Sequence, residues 1–163
     1  MKKMVALFFV LVFLLGTVGC NPQPTQPEQA APDFTEQSVI IRDSHSDVEG
    51  LSVQVGGIYH DPHKTTLVVS WNNTTEHTVT YGEMFGIERL ENDEWVDCAL
   101  GENVFIMIGY LLEANKAVNK EYTLTGLFDV SQPGTYRFLS TCSVDMDGEL
   151  PTTCTVWAEF MVE

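Results

Sequence analysis

Two histidines three positions apart are the residues whose spacing first suggests chemistry in this sequence. They are His60 and His63, in the tetrapeptide HDPH. Neutral imidazole is a good ligand for zinc and copper, so a metal site is one interpretation. Pro62 favours a turn, however, and no cysteine or carboxylate cluster lies nearby in the sequence to complete a ligand set. We therefore expect a solvated turn, and we predict no metal ion or other cofactor.

The acidic stretch SVDMDG, at residues 143–148, has the spacing of oxygen ligands at the start of a calcium-binding loop. An EF-hand also requires an acidic residue at its twelfth position, and that position is Cys154. The sequence therefore argues against an EF-hand. A looser calcium site within residues 143–149 stays open as an alternative to a solvated loop.

No residue pattern typical of an enzyme occurs in the sequence. A serine nucleophile on a strained turn is marked by Gly-x-Ser-x-Gly, and nucleotide-binding loops have their own glycine patterns; neither is present. Cys98 carries a thiol that could react, but a packed or disulfide-bonded cysteine is the commoner arrangement. We predict that the chain is not an enzyme.

The elements that position these residues are preceded by an apolar N-terminal segment. Lys2 and Lys3 come before about 14 mostly apolar residues, which suits a signal-peptide core and is too short to span a bilayer. The next residues, TVGC at positions 17–20, resemble a bacterial lipobox, in which the cysteine receives a diacylglycerol. We predict a lipoprotein signal peptide at residues 1–19 and lipidation of Cys20. An ordinary secretory signal with an incidental cysteine is the alternative.

A segment rich in proline and glutamine follows Cys20. Residues 21–33 hold four of the seven prolines and no large apolar side chain. Such a segment cannot bury enough apolar surface to offset its ordering entropy, so we predict a flexible tether over residues 20–35. The tether would space a folded domain, residues 36–163, from the membrane, where two acyl chains on Cys20 give stable anchoring.

The composition is strongly acidic. There are 8 lysines and arginines against 23 aspartates and glutamates, which gives a net charge of −15. Loss of Lys2 and Lys3 with the signal peptide would take the charge from −15 to −17. Because nucleic-acid binding needs a face rich in Lys and Arg, we predict no nucleic-acid partner. The same charge disfavours close contact with anionic lipid head groups.

The remaining residues have the pattern of an antiparallel β protein. Short runs of β-branched and aromatic residues alternate with turn signals roughly every 8–15 residues, which predicts seven to nine strands in a sandwich. The clearest runs are TTLVVSW at residues 65–71 and TYRF at residues 135–138, and END at residues 91–93 predicts a hairpin loop. The apolar run 104–112 favours a strand, with a short helix as the alternative.

Several side chains are expected in the core of this sandwich. Trp71 and Trp95 are core candidates, and Tyr136 would bury its ring and donate its hydroxyl to a backbone carbonyl, as a tyrosine corner does. In the last strand, alternation would turn three side chains inward. These are Val156, Ala158 and Phe160.

The domain contains three cysteines in addition to Cys20. Cys142 and Cys154 lie in two predicted strands, nearly symmetrically about Gly148, so a hairpin would place them opposite one another within disulfide reach. We predict a Cys142–Cys154 disulfide. A bridge from Cys98 to either of them, or no disulfide, stays open as an alternative.

Four stretches, taken in order, form a wider pattern. They are VSWNN at residues 69–73, YGEMFGIERLENDEW at 81–95, QPGTYRF at 132–138 and VWAEFMV at 156–162. Together they resemble a family of bacterial immunoglobulin-like domains carried by lipoproteins of Gram-positive bacteria. The resemblance implies an immunoglobulin-like β-sandwich and no particular activity, because such sandwiches host many functions.

The sequence as a whole indicates a membrane-anchored extracytoplasmic lipoprotein with a non-catalytic immunoglobulin-like binding domain. It would be held on the outer side of the cell membrane through Cys20 and would bind a protein or other cell-surface partner that the sequence does not identify. A protease inhibitor of immunoglobulin-like fold is the alternative, in which the loop 143–153 enters the enzyme's cleft.

The anchor can be tested on the protein isolated from its natural host. We expect a mature N-terminus at Cys20 and the added mass of a diacylglycerol on its sulfur, because the lipobox directs both modifications. Intact-mass and peptide mass spectrometry measure both. A mature chain that begins elsewhere, or an unmodified Cys20, would show that the segment is an ordinary signal peptide.

Overall fold

Ten β-strands make up the regular structure of this chain in a computed structural model that describes residues 35–145 and 150–163. No helix within these ranges is long and apolar enough to cross a membrane. All the described residues belong to the unit Pro32–Glu163, which contains its own core, as an independently folding domain does. The strands are β1 Thr35–Gln37, β2 Val39–Ser46, β3 Leu51–His60, β4 Thr65–Asn73, β5 Val79–Glu91, β6 Glu94–Asp97, β7 Gly109–Leu112, β8 Lys116–Thr123, β9 Gly134–Val144 and β10 Thr152–Val162.

The strands form two antiparallel sheets. Sheet A has the order β1-β3-β4-β8, and sheet B has the order β2-β10-β9-β5-β6, with β7 also paired to β5. This confirms the all-β, immunoglobulin-like sandwich. The count of ten exceeds the expected seven to nine partly because the N-terminal run changes sheet at Ser38. Before it, β1 pairs with β3, and after it β2 pairs with β10.

An aromatic cluster joins the two sheets. Trp71 of β4 is fully buried, as expected, stacks on Tyr81 with ring centroids 4.6 Å apart, and donates its indole N–H to the Tyr122 hydroxyl at 3.2 Å. Tyr122 of β8 in turn packs on Phe85 and Phe138 of sheet B, at centroid distances of 4.9 and 5.0 Å. Each such pair contributes about 0.5–1.5 kcal/mol beyond its area burial, so the cluster holds the sheets together.

Trp95 is not a core residue, contrary to the expectation from the sequence. It lies half-buried in β6, a four-residue strand that pairs only with the end of β5. The guanidinium of Arg137 lies over its ring at 4.4 Å from the centroid and also binds Glu88 at 2.5 Å. Trp95 therefore covers a charged pair on the surface of sheet B.

The apolar run 104–112 is also only partly the strand that its residues suggest. Pairing with β5 begins at Gly109, and residues 104–108 form neither strand nor helix. β5 pairs with β7 only from Val79 to Gly82, and the register of β5 against β9 shifts between Tyr81 and Phe85, so the ladder stops where residues 104–108 would join it. The run therefore enters the sheet late, and its first half stays exposed.

The β9–β10 hairpin follows its sequence pattern closely. Val156, Ala158 and Phe160 are buried, while Thr155 is exposed. Cys142 and Cys154 are paired in register with Cα atoms 5.2 Å apart, and a disulfide joins them. The predicted bridge is therefore present.

Tyr136 forms the expected corner at the start of β9. Its ring is buried, and its hydroxyl donates to the carbonyl of Gln132 at 2.6 Å. This bond fixes the turn that leads from Pro133 into the strand. Burial raises the pKa of the phenol, so the hydroxyl remains a donor across the neutral range.

Replacing Tyr136 by Phe should therefore lower the free energy of unfolding by about 1–1.5 kcal/mol, because the part-buried hydrogen bond to Gln132 is lost while the ring is kept. Urea unfolding at neutral pH measures the change. Tyr59→Phe is the matched control, since its hydroxyl makes only a 3.4 Å exposed contact with Glu36. Equal effects of the two substitutions would contradict a structural role for the corner.

Candidate functional site

The two histidines of HDPH have separate structural surroundings. The ring nitrogens of His60 contact Gln37 Oε1 at 2.9 Å and Thr65 Oγ1 at 3.0 Å. His63 is exposed on the turn, which Asp61 holds by accepting from the His63 and Lys64 backbone N–H groups. Residues 35–145 and 150–163 contain no group of three or more His, Cys, Asp or Glu side chains placed to hold a metal.

Two other predicted sites lie wholly or partly beyond the described residues. Cys20 and the tether belong to the N-terminal part that is not described, so lipidation stays a prediction. In the acidic loop 143–149, residues 146–149 are not described either, and the calcium alternative stays open. Asp145 is described, and its backbone N–H donates to the carbonyl of Thr78 at 3.0 Å.

Cys98 is the free cysteine of the described domain. It is half-buried and points its sulfur at the Val96 carbonyl at 3.8 Å. Burial, helped by the neighbouring Asp97 carboxylate, raises the pKa of the thiol to about 11. Such a thiol is a poor nucleophile at neutral pH, because the thiolate is the reactive form.

A shallow groove lies on the outer face of sheet B beside the disulfide hairpin. Its volume is about 360 Å³. The floor consists of small residues from β5, β7, β9 and β10, and Met84 separates it from a second apolar depression of about 250 Å³ next to Leu139. The floor residues are Thr80, Gly82, Gly109, Thr141, Ser143 and Thr153.

One wall of the groove is formed by residues 106–108, which belong to an exposed apolar segment, residues 104–108, that we call the apolar ridge. Met107 is 98% exposed, Val104 89% and Ile106 64%. Ile108 and, further along in β7, Leu111 are exposed as well. Single exposed apolar residues are common in proteins, but a contiguous set of this size is typical of an interaction surface.

The ridge is held against the domain at two points, the side chain of Phe105 and the main chain of Ile108. Phe105 turns inward and packs on Phe85 with centroids 5.5 Å apart. The end of the ridge approaches β5 so closely that a Cβ atom on Gly82 would lie 3.1 Å from the Ile108 carbonyl oxygen. A Cβ atom on Gly109 would lie 3.1 Å from Thr80. These two glycines therefore allow the ridge to lie directly on the sheet.

An ion pair lies beneath the end of the ridge. Lys120 of β8 binds Glu83 of β5 at 2.8 Å, and the Tyr110 hydroxyl donates to the same carboxylate. The ammonium also lies over the rings of Tyr110 and Tyr122, at 4.2 and 5.2 Å from their centroids. Hydrogen bonds from Lys120 and then from Tyr110 lower the pKa of the Glu83 carboxyl below its ordinary value.

The surface around the ridge is acidic. Residues 98–115, which contain the ridge, include Glu102 and Glu113 and no lysine, arginine or histidine. Glu83 also lines the groove, and Asp145 lies beside the start of β5, where its N–H bonds to Thr78. Glu83 is paired with Lys120, so the unpaired charge of the described surface here is negative.

The sequence did not single out the ridge as a functional feature. Its residues, VFIMI, predict a buried strand. Nothing in the local sequence indicates that no other strand pairs with these residues. The strongest available signal was the lack of any polar residue at alternate positions from 104 to 108, which is unusual for an edge strand with one exposed face.

Comparison with known protein families places the whole surface inside a recognised domain. The model of a family described as bacterial Ig-like domain matches residues 47–160, which include β3 to β9, most of β10 and the ridge. A search of curated proteins finds none that matches the chain.

The ion pair under the ridge makes stability depend on pH. A carboxyl whose pKa is lowered by folding stabilises the protein above its unfolded pKa of about 4.3, and that stabilisation is lost as the pH falls through the folded pKa. Glu83→Gln should therefore cost about 1–2 kcal/mol at pH 7 and less near pH 3, as measured by urea unfolding.

Glu121→Gln provides the control for this prediction. Glu121 is mostly exposed and lies 4.0 Å from Lys64, so its removal should change the free energy of unfolding by less than about 0.5 kcal/mol at either pH. A cost of Glu83→Gln that is the same at pH 3 and pH 7 would show that packing, rather than charge, is lost.

Proposed function

The chain belongs to the bacterial immunoglobulin-like domain family, and from this premise we propose that it is a lipid-anchored, extracytoplasmic binding module. Its apolar ridge would contact a protein partner at the cell surface. Domains of this family typically bind rather than catalyse, and the fold by itself specifies no ligand.

The observation that carries the proposal is the exposure of the ridge. Val104, Ile106 and Met107 contact water over most of their surface although the core beneath them is complete. Covering apolar surface gains about 25 cal/mol per Å², so a partner that fits the ridge and the groove gains free energy without refolding the domain. The anchors Phe105 and Tyr110 hold the ridge in place beforehand, which lowers the entropy cost of binding.

The anchor and tether complete the proposal. A diacylglycerol on Cys20 would hold the chain at the membrane, and 13 extended residues from 21 to 33 would reach about 40 Å at roughly 3.1 Å per residue. The domain could then meet a partner within that distance of the membrane. The acidic surface supports this arrangement, since it would keep the domain itself away from anionic head groups.

Protease inhibition is a second candidate, favoured by one observation. The disulfide ties the β9–β10 hairpin just below the loop 143–153, and Leu150 of that loop is 89% exposed. A stapled loop with an exposed apolar side chain suits insertion into a cleft, because the staple limits the entropy lost on binding.

Site-specific photo-crosslinking in intact host cells tests the proposal. A photoreactive residue at position 107 should join the chain to one protein partner, because Met107 is the most exposed residue of the ridge. The matched control is position 41, where Ile41 is a moderately exposed apolar residue of β2 at the opposite edge of sheet B, and it should give no such product.

The outcomes separate the two candidates. Crosslinks of equal yield at positions 107 and 41, or none at 107, would contradict binding through the ridge. A photoreactive residue at position 150 that captures a protease, together with inhibition of that protease by the purified chain, would favour the inhibitor.

A further inference from the structure

We propose, building on the proposed function, that the ridge binds its partner by β-strand addition. The occupant would be an extended protein segment that carries lysine or arginine. Its main chain would pair with residues 101–107, and its apolar side chains would cover the ridge.

The backbone of this segment is available for pairing. None of the main-chain N–H groups of residues 101–107 donates a hydrogen bond to another described residue, whereas the Ile108 N–H donates to the Ile106 carbonyl. The segment continues directly into β7, an existing strand of sheet B. Exposed and unpaired main-chain groups next to a sheet are a template for another strand.

The side chains of the segment also suit a strand. Valine, phenylalanine and isoleucine are among the residues most favoured in β-structure, and the run VFIMI contains no proline or charge. From Val104 to Ile106 the side chains alternate, with Phe105 inward and its two neighbours outward, as in an extended chain. The alternation ends at Met107, which is exposed and lies in the turn made by the Ile108 N–H bond to the Ile106 carbonyl. Residues 104–106 therefore have the pattern of a strand without its neighbour.

The other edges of the sandwich carry the usual protection against such pairing. β1 is only three residues long, β2 bears Arg42 and Asp43, and β8 bears Lys116. Short edge strands and charged side chains block the approach of another chain. From Val104 to Leu112 the sequence has neither a charge nor a proline, so this stretch is the unprotected one.

The negative charge of this surface indicates which kind of partner segment would bind to it. Residues 98–115 carry Glu102 and Glu113 and no basic residue, and the whole chain has a net charge of −15, so the long-range field attracts cations and repels a second copy of the chain. A bilayer could also cover an apolar ridge, but the same acidic residues would then be brought against head groups that are commonly anionic. The charge thus favours a basic extended segment over both.

A displayed library of random 12-residue peptides provides the probe. It is selected on the chain from residue 21 to 163, which contains the whole folded unit, and counter-selected on the Ile106→Ser/Met107→Ser variant. Both replaced side chains are exposed, so the variant should keep its midpoint of urea unfolding. We expect the ridge-dependent peptides to be rich in Lys and Arg, poor in proline, and apolar at alternate positions.

The strongest ridge-dependent peptide is then made with N-methyl groups on alternate residues, in both possible registers. Methylation of the edge that faces the ridge should weaken binding at least about tenfold, because about two or more hydrogen bonds are lost. The other register, which faces solvent, should change affinity by less than about twofold. Hydrogen exchange of amides 101–107 should slow at least about tenfold on binding of the unmodified peptide.

Each result points in one direction. Equal effects of the two registers, unchanged exchange at residues 101–107, or a predominance of acidic or proline-rich peptides would overturn strand addition while leaving the ridge as the binding site. Absence of any ridge-dependent peptide, with partner crosslinks also missing at position 107, would overturn the proposed function itself. Binding of the same chain to protein-free vesicles of phosphatidylglycerol, lost in the double serine variant, would identify a membrane as the occupant.

Discussion

The ion pair between Lys120 and Glu83 is the constraint on which the functional end of this domain depends. It is the one salt bridge between the two sheets within the described residues. Lys120 lies on the same face of β8 as the buried Tyr122, so its charge points toward the interior and requires a partner. A register shift in β5 between Tyr81 and Phe85 gives Glu83 the room to reach it. Tyr110, bonded to the same carboxylate, then fixes the start of β7 and with it the end of the ridge.

The ridge is thus rigid at its contacts and exposed between them. Phe105 and Tyr110 anchor it in the aromatic cluster, while the side chains between these anchors contribute little to the core. A substitution at an anchor would be expected to affect both folding and binding, whereas a change at Met107 can affect binding alone. Stability and recognition therefore depend on different residues of one short segment. The exposed residues can change in sequence while the anchors keep the fold.

Local sequence patterns predicted those features that local physics determines. Alternation in β10 placed Phe160 inward, symmetry about a turn paired Cys142 with Cys154, and a Pro-Gly turn before Tyr136 marked the corner. The features that were missed depend on residues distant in sequence. Glu83 and Lys120 are 37 positions apart, and no local pattern at either residue predicts that the other is its partner. The exposure of residues 104–108 and of Trp95 likewise depends on how β5 pairs with β7 and β6. No single stretch of sequence predicts that pairing.

The third cysteine of the domain, Cys98, bears on whether the disulfide can exchange its partners. An odd number of thiols in an oxidising medium normally invites scrambling, because a thiolate can attack a disulfide and exchange its partners. With a thiol pKa of about 11, Cys98 is a thiolate in only about one molecule in ten thousand at pH 7, and both sulfurs of the bridge are buried. The protonated thiol of Cys98 is therefore a slow nucleophile, which limits disulfide exchange in the folded protein.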